Sequence, residues 1–146
     1  VFLFFGLVAV VATYGLHGAP IADTAPWAAG AALGAMASAV LVVNNLRDRD
    51  TDVRAHKRTM AVRIGAAWTR REYAALMAAP HAVAVAYALS TGAYGWLATL
   101  VTAPLTVAAV RRVYAVDGRA LNPMLGQTAK LVLLWAAALS AGVVLS

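Results

Sequence analysis

The sequence predicts an all-α, polytopic transmembrane helix bundle, and three observations carry that expectation. Hydrophobic residues fill 62% of the 146 positions and charged residues only 12%. Mean hydropathy is +0.74, a balance that ordinary soluble domains do not reach. The apolar residues fall into five long runs, and the basic residues cluster between or beside them.

The runs are Val1–Thr13, Trp27–Val43, Tyr73–Leu89, Ala93–Val110 and Leu131–Leu145. Each is near the span of about 20 residues that a hydrocarbon core requires of a helix. None alternates with period two, and an open sheet edge in lipid leaves backbone groups unpaired. About five transmembrane helices forming a single bundle over residues 1–146 are therefore expected, without an internal repeat or linker.

The first run opens on Val1 rather than methionine and lacks the charged start and cleavage site of a signal peptide. The chain is expected to begin inside a larger gene product. Ala19-Pro20 and Ala25-Pro26 bracket a short connector, and Pro26 with Trp27 suits the first turn of the second helix at a membrane interface. That helix carries small residues across Ala28–Ala39, with Gly30 and Gly34 four apart, which lets helix backbones approach closely. Asn122-Pro123 is placed to start the last helix, where proline sacrifices no intrahelical hydrogen bond.

All 12 Lys and Arg residues lie in Arg47–Arg71, in Arg111–Arg119 or at Lys130, and the connectors His17–Pro26 and Ser90–Tyr94 hold none. By the positive-inside rule, the basic connectors face the cytoplasm and the protein sits in the plasma (cell inner) membrane. The net charge of +6 does not point to nucleic acid. Its basic residues are juxtamembrane and interleaved with Asp48, Asp50 and Asp52, so anionic headgroups or a phosphorylated substrate are the better partners. Cysteine is absent, which excludes thiol chemistry and thiolate metal sites. His17, His56 and His81 are too widely spaced for a histidine metal motif.

The chemistry concentrates in Asn44–Gly65. If the second helix continues past Val43, Asp48 and Asp52 stand one turn apart on one face, while Asp50 points roughly opposite. Two carboxylates so placed repel each other unless a cation joins them. Magnesium suits them, being held in proteins by one or two carboxylates plus substrate phosphates. Arg47, Lys57 and Arg58 could take the remaining phosphate oxygens, with Asn44 or Asn45 orienting ligands. Read on charge alone, the same stretch is equally well a solvated, positive-inside connector whose ion pairs contribute little.

The order of residues raises the functional reading. Arg47-Asp48 followed by Asp52, after an apolar helix, resembles the second Asp-rich motif of UbiA-type intramembrane prenyltransferases. Asn44-Asn45-Leu46-Arg47-Asp48 together with Lys57-Arg58-Thr59-Met60-Ala61-Val62-Arg63-Ile64-Gly65 looks most like the 1,4-dihydroxy-2-naphthoate prenyltransferases of menaquinone biosynthesis. Leu121-Asn122-Pro123-Met124-Leu125 adds a weaker match. The resemblance implies the C-terminal portion of a larger prenyltransferase domain, which transfers a polyprenyl group from a polyprenyl diphosphate to 1,4-dihydroxy-2-naphthoate, giving demethylmenaquinone. It also implies Mg2+ as cofactor, held by Asp48 and Asp52 as the catalytic carboxylates.

Two departures from the family pattern stand out. His56 occupies a position where such proteins more often have glycine, and the first Asp-rich motif is missing, so the fragment alone should be inactive. Competing readings are a relative acting on hydroxybenzoate, homogentisate or a tetrapyrrole, and, from another class, a transporter or scaffold whose basic segment binds lipid. The apolar runs contain no Asp, Glu, Lys or Arg, which speaks against transport.

Overall fold

The computed structural model describes all residues, Val1–Ser146, and is helical throughout, with no strand. Five helices follow one another: α1 (Phe2–Leu16), α2 (Thr24–Arg54), α3 (Met60–Thr91), α4 (Tyr94–Ala115) and α5 (Asn122–Leu145). α1 opens with a wide π-helical stretch, Phe2–Val8, and α4 opens as a tight 3-10 helix, Tyr94–Thr102. A single 3-10 turn, Gly118–Leu121, leads into α5.

The apolar runs all became helix, as expected. Four of the helical stretches, α2, α3, α4 and α5 with its leading turn, are long and apolar enough to cross a bilayer, whereas Phe2–Leu16 is shorter. The helices also run well past the apolar runs. α2 has 31 residues, which at about 1.5 Å per residue gives about 46 Å against a hydrocarbon core of about 30 Å. Its apolar part, Trp27–Val43, spans most of that core, and Asn44–Arg54 project beyond it as helix. The charged stretch read from sequence as a connector is therefore mostly helix. The true turn is only Ala55–Thr59.

α3 is likewise long, at 32 residues, but is broken at Gly65, whose φ of 78° and ψ of 166° lie far from helical values. Only glycine enters that region cheaply. Met60–Ile64 thus forms a separate turn set at an angle to the span that follows. Pro80 lies inside the same helix, where a missing N–H is tolerated because neighbouring helices surround it; Pro80 is fully buried.

Packing follows the small residues. A Cβ added to Gly6 would fall 2.5 Å from the carbonyl oxygen of Gly30, and one on Gly34 would fall 2.8 Å from that of Phe2. α1 and α2 therefore touch backbone to backbone through Gly6, Gly30 and Gly34, the use expected of the Gly30/Gly34 pair. Gly95 and Gly142 bring the start of α4 equally close to the end of α5. Tyr73, Met77, Met36, Val43, Leu121, Met124 and Trp135 fill the centre and are almost wholly enclosed. The Tyr73 hydroxyl is 3.0 Å from Thr128 Oγ1, which donates to the Met124 carbonyl at 2.7 Å, so this buried polar pair is satisfied.

The two ends of the bundle differ. The ends of α2 and α4 and the starts of α3 and α5 share the charged end. At the opposite end the Tyr14 hydroxyl donates to Asp23 (2.7 Å), and Thr24 meets Tyr87 (3.2 Å).

Gly34→Leu is expected to push α1 off α2 and lower stability by about 1–3 kcal/mol, read as a drop in the thermal unfolding midpoint of the detergent-solubilised protein. Gly126→Ala, made where a Cβ meets nothing within 4 Å, should leave the midpoint unchanged or raise it slightly.

Candidate diphosphate and metal site

The candidate site is built on the extension of α2. Asn44, Arg47 and Asp48 lie on its first exposed turn and Asp52 one turn further on, so the continuation past Val43 places the two carboxylates on one face as the spacing requires. Asp50 lies on the outer side, well exposed and paired only with the half-buried Arg49 (3.0 Å).

Carboxylates at this end of a helix meet an unfavourable field, because the macrodipole is negative there. Cations answer each of them. Arg47 grips Asp48 through two parallel bonds, Nε to Oδ1 at 2.7 Å and Nη2 to Oδ2 at 2.5 Å, a geometry only a planar guanidinium provides. These hydrogen bonds hold the Asp48 carboxyl below its ordinary value. The same guanidinium donates from Nη2 to Asn44 Oδ1 (2.9 Å) and from Nη1 to Asn122 Oδ1 (3.3 Å).

Asp52 is the only buried charged residue in the protein, at 6% exposure. Lys57 Nζ lies 3.3 Å from its Oδ1. The backbone explains why these two meet. The Lys57 N–H donates to the Asp52 carbonyl (2.9 Å) and the His56 N–H to that of Val53 (3.1 Å). That pair of bonds closes a Schellman motif with His56 as the left-handed residue, φ 53°. Its geometry returns the residue after His56 to a point over the last turn, where Lys57 and Asp52 form an ion pair instead of the usual apolar contact.

The position where glycine was anticipated is thus the one that needs positive φ. A side chain pays about 1–2 kcal/mol there. His56 fits because the motif's two hydrogen bonds hold it.

Of the other residues anticipated from sequence, Arg58 is exposed and makes no ion pair, and the Asn45 side chain makes no hydrogen bond. Neither is joined to the cluster formed by Asn44, Arg47, Asp48, Asp52 and Lys57. Asn122, which the sequence marks only as the start of a helix, reaches this cluster from 75 positions along the chain. Arg70 donates to the carbonyls of Val113 (3.0 Å) and Val116 (3.2 Å) and to Asp117 Oδ1 (2.5 Å). Nothing in the local sequence announced either role.

No group of three or more His, Asp or Glu side chains converges anywhere in the chain. The carboxylate pair therefore suits a hard cation that takes its other ligands from phosphate and water, as magnesium does, and does not suit a fully protein-caged metal.

The UbiA prenyltransferase family model matches residues 1–134. The chain belongs to that family. Proteins named 1,4-dihydroxy-2-naphthoate octaprenyltransferase resemble it closely. The one from Mycobacterium leprae is 39% identical over all of this chain and 49% of its own length. That from Mycobacterium tuberculosis is 41% identical over 96% of the chain and 47% of its own, and that from Escherichia coli 35% identical over 92% and 44%. The chain thus spans about half the length of these relatives. No solved structure gives a significant match. Family and helix lengths together make this an integral membrane protein.

His56→Gly is expected to stabilise the protein by about 0.5–1 kcal/mol by relieving the left-handed strain. Lys57→Ala is expected to destabilise it by about 1 kcal/mol by stranding the buried Asp52 carboxylate. Thermal unfolding in detergent reads both, and equal midpoints for the two variants would contradict this assignment of the turn.

Proposed function

We propose that the whole protein to which this chain belongs transfers a polyprenyl group from a polyprenyl diphosphate to 1,4-dihydroxy-2-naphthoate, giving demethylmenaquinol, the reduced form of demethylmenaquinone. The observation that carries the reading is the pairing of two carboxylates with two cations, Arg47–Asp48 and Lys57–Asp52, where an apolar bundle meets its charged end. A polyprenyl diphosphate has the matching form, with a long hydrocarbon tail for the bilayer and a polyanionic head for the interface. The names of the relatives support the naphthoate acceptor.

Asp48 and Asp52 would hold Mg2+ together with the diphosphate, and the metal would neutralise charge developing on the leaving group as the allylic C–O bond breaks. In this reading both carboxylates turn from their present partners toward the metal. Arg47 and Lys57 are then free to bind phosphate oxygens, so neither the carboxylates nor the cations are left unpaired. The electron-rich ring attacks the allylic carbon, its carboxylate leaves as carbon dioxide, and diphosphate departs. The remainder of the enzyme supplies the first Asp-rich motif, and the charged end faces the cytoplasm, in line with its basic residues.

Membranes containing the chain joined to the remainder of its protein should prenylate 1,4-dihydroxy-2-naphthoate with magnesium and not after chelation. Asp48→Ala and Asp52→Ala should each lower the rate by about 100-fold or more. Activity indifferent to both substitutions would overturn the site, and product with hydroxybenzoate or homogentisate but not with naphthoate would overturn the acceptor.

A further inference from the structure

Arg47 is held by more than the carboxylate it neutralises. Its guanidinium has five N–H donors and no acceptor, and the structure engages it along two edges. The edge of Nε and Nη2 faces Asp48; the adjoining edge of Nη1 and Nη2 is taken by the carboxamide oxygens of Asn44 and Asn122. Asn44 is one turn back on the same helix. Asn122 is not: it comes from the first turn of α5, at the other side of the charged end.

The segment that delivers Asn122 is fixed at several points. Upstream, Arg70 of α3 ties down the carbonyls of Val113 and Val116 and the carboxylate of Asp117. The Ala120 N–H then donates to the Asp117 carbonyl (3.2 Å), shaping the 3-10 turn. Immediately before Asn122, Leu121 is wholly buried in the core; two residues after it, Met124 is wholly buried as well. The Asn122 side chain itself is free to point to solvent, and its residue is exposed. Its engagement with Arg47 is therefore not forced by burial.

We propose that Asn122 is a positioning residue for the diphosphate site, acting through Arg47. This inference rests on the reading that Asp48, Asp52 and Arg47 receive a magnesium-complexed diphosphate. When Asp48 turns to the metal, Arg47 loses its bidentate partner. Asn44 and Asn122 keep two of its nitrogens in place, so the guanidinium stays beside the phosphates and does not swing into solvent. A long arginine side chain left free would lose rotamer entropy on every binding event. Held at both terminal nitrogens, it has less to lose.

The test uses the full-length protein in detergent and the probe magnesium with inorganic diphosphate, titrated by calorimetry. Asn122→Ala should weaken binding about threefold to tenfold, and Asn122→Gln, which keeps a carboxamide oxygen one methylene further out, should lie within about threefold of the parent. In an Arg47→Ala background, Asn122→Ala should have no further effect, because the group through which it acts is gone. In prenylation assays, the same substitution should raise KM for the prenyl diphosphate while leaving KM for the naphthoate unchanged.

An equal loss from Asn122→Ala in both backgrounds would mark a general structural role and overturn the proposal, as would full binding by Asn122→Ala. Failure of the underlying reading has a different signature. Diphosphate binding by the parent protein that ignores magnesium or survives Asp48→Ala unchanged would remove the site itself, and this proposal with it.

Discussion

Charge cannot remain in the hydrocarbon core, and the charged end of this protein follows from how α2 meets that constraint. The helix continues as a rigid rod beyond its apolar stretch and carries Asp48 and Asp52 out of the lipid on one face. There the carboxylates face each other's charge and the negative end of the helix dipole. Each needs a cation, and each has one. Arg47 supplies the first through a planar fork from the adjacent position. Lys57 supplies the second because the Schellman closure at His56 folds the chain back over Asp52.

In the proposed function this balance would prepare the site for exchange. A diphosphate with its metal would bring both charges that the site already contains, so binding would swap partners without stranding a charge. Rigid surroundings keep the swap local. Backbone contacts lock α1 to α2 at Gly6, Gly30 and Gly34 and α4 to α5 at Gly95 and Gly142, and the Tyr73–Thr128 pair ties α3 to α5 just inside the charged end. The kink at Gly65 sets the short turn Met60–Ile64 at an angle to the rest of α3.

Much of this was legible in the order of residues. Runs of apolar side chains name the helices because lipid leaves the backbone no alternative, and an i, i+4 pair of aspartates on a continuing helix has a fixed relation. The family motif depends on both. Other features were hidden for physical reasons. Asn44–Arg54 is rich in Asp, Asn and Thr, residues of low helix propensity that suit a connector, yet the stretch continues α2 as helix. His56 masked a turn that glycine would have announced. Arg58 and Asn45 carry the right chemistry in the right stretch, yet side-chain direction keeps them out of the cluster. Asn122 and Arg70 act over 75 and more than 40 positions, and no local pattern records such contacts.

The exchange of partners is the central claim, and Mn2+ in place of magnesium tests it most directly. The full-length protein, titrated with Mn2+ and a non-cleavable prenyl thiodiphosphate, should show bound Mn2+ with magnetic coupling to phosphorus by electron paramagnetic resonance. Little Mn2+ should bind without the analogue, while Arg47 and Lys57 still hold the carboxylates, and Asp48→Asn or Asp52→Asn should abolish the coupled signal. Equal Mn2+ binding without the analogue, or a coupled signal that survives both substitutions, would contradict the account.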